Sequence, residues 1–326
     1  MNIGLKGYFD NFAFQNRKTG DRIPATGMPT SKVNLITDAG LDMPATNTWY
    51  GCFQYMMIGT GSTPATYADT ALEAQIASSN TYSGTENGRT YSVEAKTVTL
   101  WTTFIIPGSE SDPTVFREMS VGPDGTAAFN RIVLLANVTI PAGYDLVARY
   151  NIVLTIASWM TPFDLTMIFG VVPAQGKFMS LSEVAHPEYI LDEISSSRIS
   201  PGNHGLEPST TTNESFDSIR PFTTQPSVLS SSTTYGELEL CCGTTSYQWS
   251  ISTYAAGTHY RDRVYTIQAD DYSQEALYGF YVRYGYLDGT SYYRRFFFVF
   301  RSAAGFIKPA AETWTVTERI SWGRSE

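Results

Sequence analysis

The sequence predicts an all-β chain of two antiparallel β-sandwich-like domains, and three observations carry that expectation. The first is apolar alternation of period two. Thr97-Val98-Thr99-Leu100-Trp101, Ala148 to Ile156 and Trp314 to Trp322 each turn one strand face inward and the other toward water. The second is composition, since 14% aromatic residues together with abundant Ser and Thr suit a pleated surface better than a helix. The third is punctuation. Gly84 to Gly88, Pro123-Asp124-Gly125, Pro141-Ala142-Gly143 and Asp288-Gly289 are turn signals spaced as in a sandwich or barrel. At roughly 150 residues per domain, a chain of 326 residues is expected to form two.

In chain order, residues 1–165 read as an N-terminal β domain, 166–234 as a linker or loop-rich segment, and 235–326 as a C-terminal β domain. One or two short helices are expected. Asp69 to Ser78 has helical spacing with Asp69 as N-cap, and Leu181 to Ile194 has it up to the break at His186-Pro187. From Ser195 to Thr234 the residues are mostly Ser, Thr, Pro and Asn, which cannot bury enough apolar surface to offset their own ordering entropy. That stretch is expected either to lie across a partner or to connect the domains.

Self-similarity is visible at an offset of 164 residues, where Asp124-Gly125-Thr126 and Asp288-Gly289-Thr290 each precede an aromatic residue, an Arg and an apolar run. An Ile and a Pro-Ala pair follow both (Ile140-Pro141-Ala142 and Ile307-Lys308-Pro309-Ala310), then an alternating strand with a Trp near its end. This order suggests the C-terminal domain as a degenerate repeat of the first. Its alternative is chance recurrence of Asp-Gly-Thr hairpins in a β-rich chain. In both hairpins the Asp-Gly pair is expected to supply a turn of positive φ.

Charge and cysteine usage narrow the function. Charged residues are 16% of the chain and the net charge is −9, which argues against a nucleic-acid partner. The start, Met1 to Phe12, contains Asp10 and no apolar core of the secretory kind, and no apolar run reaches the roughly 20 residues that span a bilayer. Neither export nor membrane insertion is expected. The 3 cysteines, Cys52 and the adjacent Cys241 and Cys242, have neither disulfide-framework nor zinc spacing and read as small buried hydrophobes.

Catalytic frames are likewise missing. His186, His204 and His259 are scattered, and Asp270-Asp271 has no calcium-loop context. A glycosidase-type carboxylate pair has no sequence signature, because its members need only be roughly 5 to 9.5 Å apart in space. No catalytic, cofactor-binding or metal-ligating residue is assigned, and no enzyme activity is expected.

The last hairpin crowds Tyr278, Tyr281, Tyr284, Tyr286, Tyr292 and Tyr293 beside Arg283, Arg294 and Arg295. Tyr284, Tyr286, Tyr292, Tyr293, Arg294 and Arg295 are the candidate contact surface, because aromatic and Arg enrichment marks both subunit interfaces and glycan platforms. Core packing on one sheet face is the third reading of these tyrosines.

Two motifs in the first half have a physical reading. Gly59-Thr60-Gly61-Ser62-Thr63-Pro64 follows an apolar strand as a tight reversal, without the Lys or third Gly of a phosphate loop. Glu118 and Arg131 flank the Asp124-Gly125 turn and are expected to face each other as a cross-strand ion pair.

Taken in order, Asn34 to Asp42 (NLITDAGLD), Met56 to Ala65 (MMIGTGSTPA), Asp69-Thr70-Ala71-Leu72, Phe116 to Gly122 (FREMSVG) and the Arg before an apolar strand resemble structural proteins of tailed bacteriophages, those associated with tails or tail fibres. The resemblance covers about residues 30–160; the second half matches only through the repeat. It implies a virion tail component without chemistry of its own, assembled in the bacterial host cytoplasm as a homo-oligomer with other tail proteins. The alternative is a tail protein that binds a host surface glycan through its Tyr-rich second half. A polysaccharide-degrading tail enzyme is the third reading.

Overall fold

A computed structural model describes residues 2–29, 31–83, 87–92, 94–158, 164–167, 176–178, 218–224, 249–268, 271–272, 276–288, 291–307, 311 and 313–325. Each alternating segment forms a strand. The first half contains β1 (Asn2–Asn16), β2 (Arg22–Pro24), β3 (Ser31–Val33), β4 (Leu35–Ile36), helix α1 (Asp38–Asp42), two 3-10 turns (Met43–Ala45 and Tyr50–Phe53), β5 (Tyr55–Gly59), β6 (Gln75–Ser79), β7 (Gly88–Ser92), β8 (Thr97–Ile106), β9 (Thr114–Gly122), β10 (Asn130–Ile140) and β11 (Tyr144–Ser158). The second half contains β12 (Asp164–Met167), β13 (Gly176–Phe178), β14 (Ser218–Pro221), β15 (Trp249–Ile251), β16 (Tyr260–Ile267), β17 (Ala276–Asp288), β18 (Ser291–Ile307) and β19 (Trp314–Arg324).

The fold is all-β. In the first half, β7-β8-β11-β1 form one layer and β4-β10-β9-β5-β6 the other. Their inward residues, among them Leu100, Phe104, Ile152 and Leu154 from one layer and Phe116, Met119, Val121 and Ile132 from the other, join in one buried cluster. Such residues occupy every second position, so the pleat alone turns them to a common side.

Strand pairing in the second half repeats this scheme. β15-β16-β19 with β12 beside β19 matches β7-β8-β11 with β1, and β13-β18-β17-β14 matches β4-β10-β9-β5. Eight strands thus recur in the same chain order with the same antiparallel neighbours. The hairpin register agrees as well. Met119 faces Ile132 in β9–β10, and Arg283 faces Phe296 in β17–β18, both positions 164 residues further on. The recurring unit starts at β12, so the described parts of 166–234 are strands β13 and β14 and the end of β12, together with residues 222–224.

One strand joins the halves. β1 pairs antiparallel with β11 along one edge and parallel with β19 along the other, from Asn2 opposite Ser321 to Leu5 opposite Arg324. The result is one ten-stranded sheet shared by both halves. The core follows, since Tyr265, Ile267, Leu277, Ile320 and Trp322 belong to the same buried cluster as the first half.

Two local expectations are corrected. Residues 69–78 do not form a helix; 69–74 are a loop and 75–78 belong to β6. Side chains capture the backbone groups that a helix would use: the Glu118 carboxylate accepts from the amides of Glu73 and Ala74 at 3.0 and 2.8 Å, and Asp69 bonds back to Thr66. The actual helix, α1, is capped by Thr37, whose Oγ1 accepts from the Gly40 amide at 2.8 Å. The other expected helix, 181–194, lies outside the described residues. The second correction concerns the Asp124 turn, because Gly125 is not among the residues of positive φ. Asp124 makes the turn through its side chain, Oδ1 accepting from the amides of Thr126 and Ala127, both at 2.8 Å.

Close backbone approach makes a packing test. A Cβ on Gly40 would strike the Phe129 carbonyl oxygen, a backbone atom, whereas Gly143 (φ +76°) has nothing within 4 Å. Gly40→Ala is therefore expected to destabilise by about 1–3 kcal/mol, as overpacking does. Gly143→Asn, which tolerates left-handed backbone, is expected to stay within about 0.5 kcal/mol in denaturant titration.

Candidate functional site

The motif residues of the first half converge on one carboxylate. Glu118, on β9, is fully buried, and Arg131, on β10, is 3% exposed. The guanidinium reaches Glu118 Oε2 through Nε and Nη2, both at 2.9 Å. The same Arg131 donates to Asp69 at 2.8 Å and to Glu73 at 3.3 Å. Glu118 also accepts from the amides of Gly61, Glu73 and Ala74, so the buried charge is met on several sides. The expected ion pair exists, and it is larger than a pair.

Gly59 and Gly61 have a different role from the reversal expected of them. Neither adopts positive φ, and a Cβ on either would collide with Glu118 Oε1. They are small so that the carboxylate can lie against the chain. Burial works to raise Asp69, but hydrogen bonds from Arg131 and Thr66 outweigh it and hold its carboxyl below the usual range. Glu73, on the solvent side, is lowered by the backbone and side-chain bonds from Thr63. This arrangement ties loop 59–74 to the β9–β10 hairpin, and every charged group in it has a charged or amide partner.

The segment Asn34 to Asp42 forms a second convergence, at the seam between the halves. On the first-half side, Thr37 Oγ1 donates to the Ala128 carbonyl at 2.9 Å. On the second-half side, Trp322 Nε1 donates to Leu41 O at 2.5 Å, and Arg324 donates to Ile36 O at 2.7 Å and to Asp38 at 2.5 Å. Asp42 accepts from Tyr254 Oη and from the Gly257 amide, with His259 Nε2 at 3.5 Å. Burial, then the Asp42 charge, pushes the Tyr254 phenol up to about 12. Sequence reasoning missed these seam residues, which lie more than 200 positions apart. The Thr37-Asp38 cap was the one local signal of α1.

The candidate surface of the second half lies on β17–β18. Tyr284 pairs with Arg295, Gly285 with Arg294, Tyr286 with Tyr293, and Leu287 with Tyr292. Paired residues share a sheet face and successive ones alternate. The register therefore puts Tyr284, Tyr286, Tyr293 and Arg295 at positions of one face, and Tyr292 and Arg294 at positions of the other. The side chains of all six lie outside the described part of the structure, as do Cys241, Cys242, His186 and His204. Cys52 is fully buried, and burial pushes its thiol up. Among the described residues no group of three or more His, Cys, Asp or Glu side chains is placed to hold a metal ion. Comparison with protein-family models, curated proteins and solved structures finds no match to this chain.

Two outcomes test the cluster. Glu118→Gln leaves Arg131 short of its buried partner and is expected to cost about 3–5 kcal/mol, with a double-mutant cycle against Arg131→Met showing that the two losses do not add. Because the carboxyls of Asp69 and Asp124 sit below their ordinary values, the stability they contribute is present above about pH 4 and is lost as pH falls through the depressed range. Denaturation followed from pH 6 to 2 is expected to show this loss, with a shallower slope in Asp124→Asn.

Proposed function

We propose that this chain is a structural component of a tailed-bacteriophage virion, a tail or tail-associated protein that acts through contacts with copies of itself and with other tail proteins. The observation that carries the reading is where the phage-like motif residues go. Thr37 caps α1, Gly59 and Gly61 make room for Glu118, and Asp69, Glu118 and Arg131 neutralise one another in a buried cluster. These are the residues of a scaffold signature, since the polar ones are engaged internally and hold loops in place. The two halves sharing one sheet make a stiff building block, the kind of part that repeated assembly uses. No helix among the described residues is long and apolar enough to cross a membrane.

Electron microscopy of intact particles carrying a tagged copy, beside light scattering of the purified chain, tests the reading. The expected results are tail-localised density and a homo-oligomer in solution. Substituting Tyr286 and Tyr293 together with Ala is expected to weaken self-association roughly tenfold or more, the size of a lost aromatic anchor. A monomer that never enters the particle would overturn the proposal, and so would turnover of capsule or peptidoglycan by the pure protein.

A further inference from the structure

The first sandwich has a cleft of about 550 Å³ at its open edge, between the 3-10 turn Tyr50–Phe53 and strands β7 and β8. It belongs neither to the Glu118 cluster nor to the seam, and its size lies within the range of small-ligand sites. Two tyrosines cross it in opposite directions. Tyr50, from the turn, donates its hydroxyl to the Gly88 carbonyl of β7 at 2.9 Å, and Tyr82 donates to the Gln54 carbonyl beside the turn at 2.7 Å. Both phenols are thereby anchored to backbone, so the rings are set before a ligand arrives and little ordering entropy remains to be lost. Tyr82 keeps 40% of its surface exposed.

Around the rings stand two exposed amides. Gln54 lies on the turn, and Asn87 is oriented by accepting from the Thr103 amide at 2.9 Å. Among the described residues that line the cleft, Arg89 is the single charged one and none is a carboxylate. This chemistry selects among ligand classes. Among the described lining residues a cation meets no acidic partner, a phosphate meets one guanidinium instead of a basic cluster, and an acyl chain leaves the amides without partners. A sugar ring meets both requirements at once, since its C–H face is apolar while its hydroxyl rim donates and accepts, as side-chain amides do. We propose that this cleft binds a saccharide, with Tyr82 as the stacking platform and Gln54 and Asn87 as the hydroxyl-reading groups.

The proposal places glycan recognition in the first half, away from the Tyr-rich hairpin, and holds whether or not the chain is a tail component. Its test uses the full-length protein on an array of neutral and of uronic- or sialic-acid-terminated oligosaccharides, followed by calorimetric titration of the retained compound. Binding is expected, weakened roughly tenfold or more by Tyr82→Ala and by Gln54→Ala, and unchanged by Leu135→Ala, a change at an exposed position outside the cleft. Gln54 is solvent-exposed, so Gln54→Ala reports on the site even if Tyr82→Ala perturbs folding, which circular dichroism detects. A preference for the acidic members assigns Arg89 a direct contact, and a preference for the neutral ones assigns recognition to the amides. Absence of any retained saccharide overturns the proposal, as does binding that survives both cleft substitutions or that is lost in Leu135→Ala.

Discussion

Loop 59–74 has few ladder partners of its own, and a buried carboxylate supplies what the sheet does not. Backbone amides removed from water need acceptors, and those of Gly61, Glu73 and Ala74 all find them on Glu118. A carboxylate without solvent needs a countercharge, and Arg131 provides it from the neighbouring strand of the same hairpin. The requirement propagates outward. Gly59 and Gly61 must be small, Asp69 and Glu73 must return to the guanidinium, and β6 then starts where it does, beside β5. Much of the sequence motif is the trace of this one constraint.

The two halves show how far such a constraint is separable from topology. Their strand order and hairpin register agree, yet the position 164 residues after Glu118 is Val282, while Arg131 maps onto Arg295. The acid is therefore not repeated. Topology persists because it rests on period-two alternation and on backbone pairing, neither of which depends on a particular charge. A polar cluster, by contrast, depends on which partners surround it, so an Arg can recur at the matching position while the acid it pairs with in the first half does not.

This division also explains what was legible in the sequence. Strands β8, β11 and β19 are visible because Val98, Leu100, Ile152, Leu154 and Ile320 recur at every second position, a local signal. The hairpin repeat was legible for the same reason. Residues 69–78 misled because DTALEAQIAS has helical spacing, and nothing within ten residues reveals that Glu118 will take its amides. The turn at Asp124 misled more mildly, since Asp-Gly serves a positive-φ turn and an Asp side-chain turn equally well, and only the flanking loop length decides between them. The ion pair itself was legible because hairpin geometry puts its members near each other; its extension to Asp69 and Glu73 came from outside the hairpin.

The seam belongs to the class that local patterns do not encode, and it makes the halves one body. β1 lends its second edge to β19 only if residues 321–324 reach it in parallel, an orientation that no hairpin can supply. α1 and the residues just before it provide the matching surface: Thr37 donates to the Ala128 carbonyl of the first half, while the Leu41 and Ile36 carbonyls and the Asp38 carboxylate accept from Trp322 and Arg324 of the second. A five-residue helix has little stability of its own, so it is held by being used on both sides. Trp322 stacking on Tyr254 at 5.8 Å then buries the seam where Asp42 gathers the loop before β16. Because each side of α1 holds the other in place, loosening the helix loosens both halves, and the shared sheet and the cap at Thr37 stand or fall together.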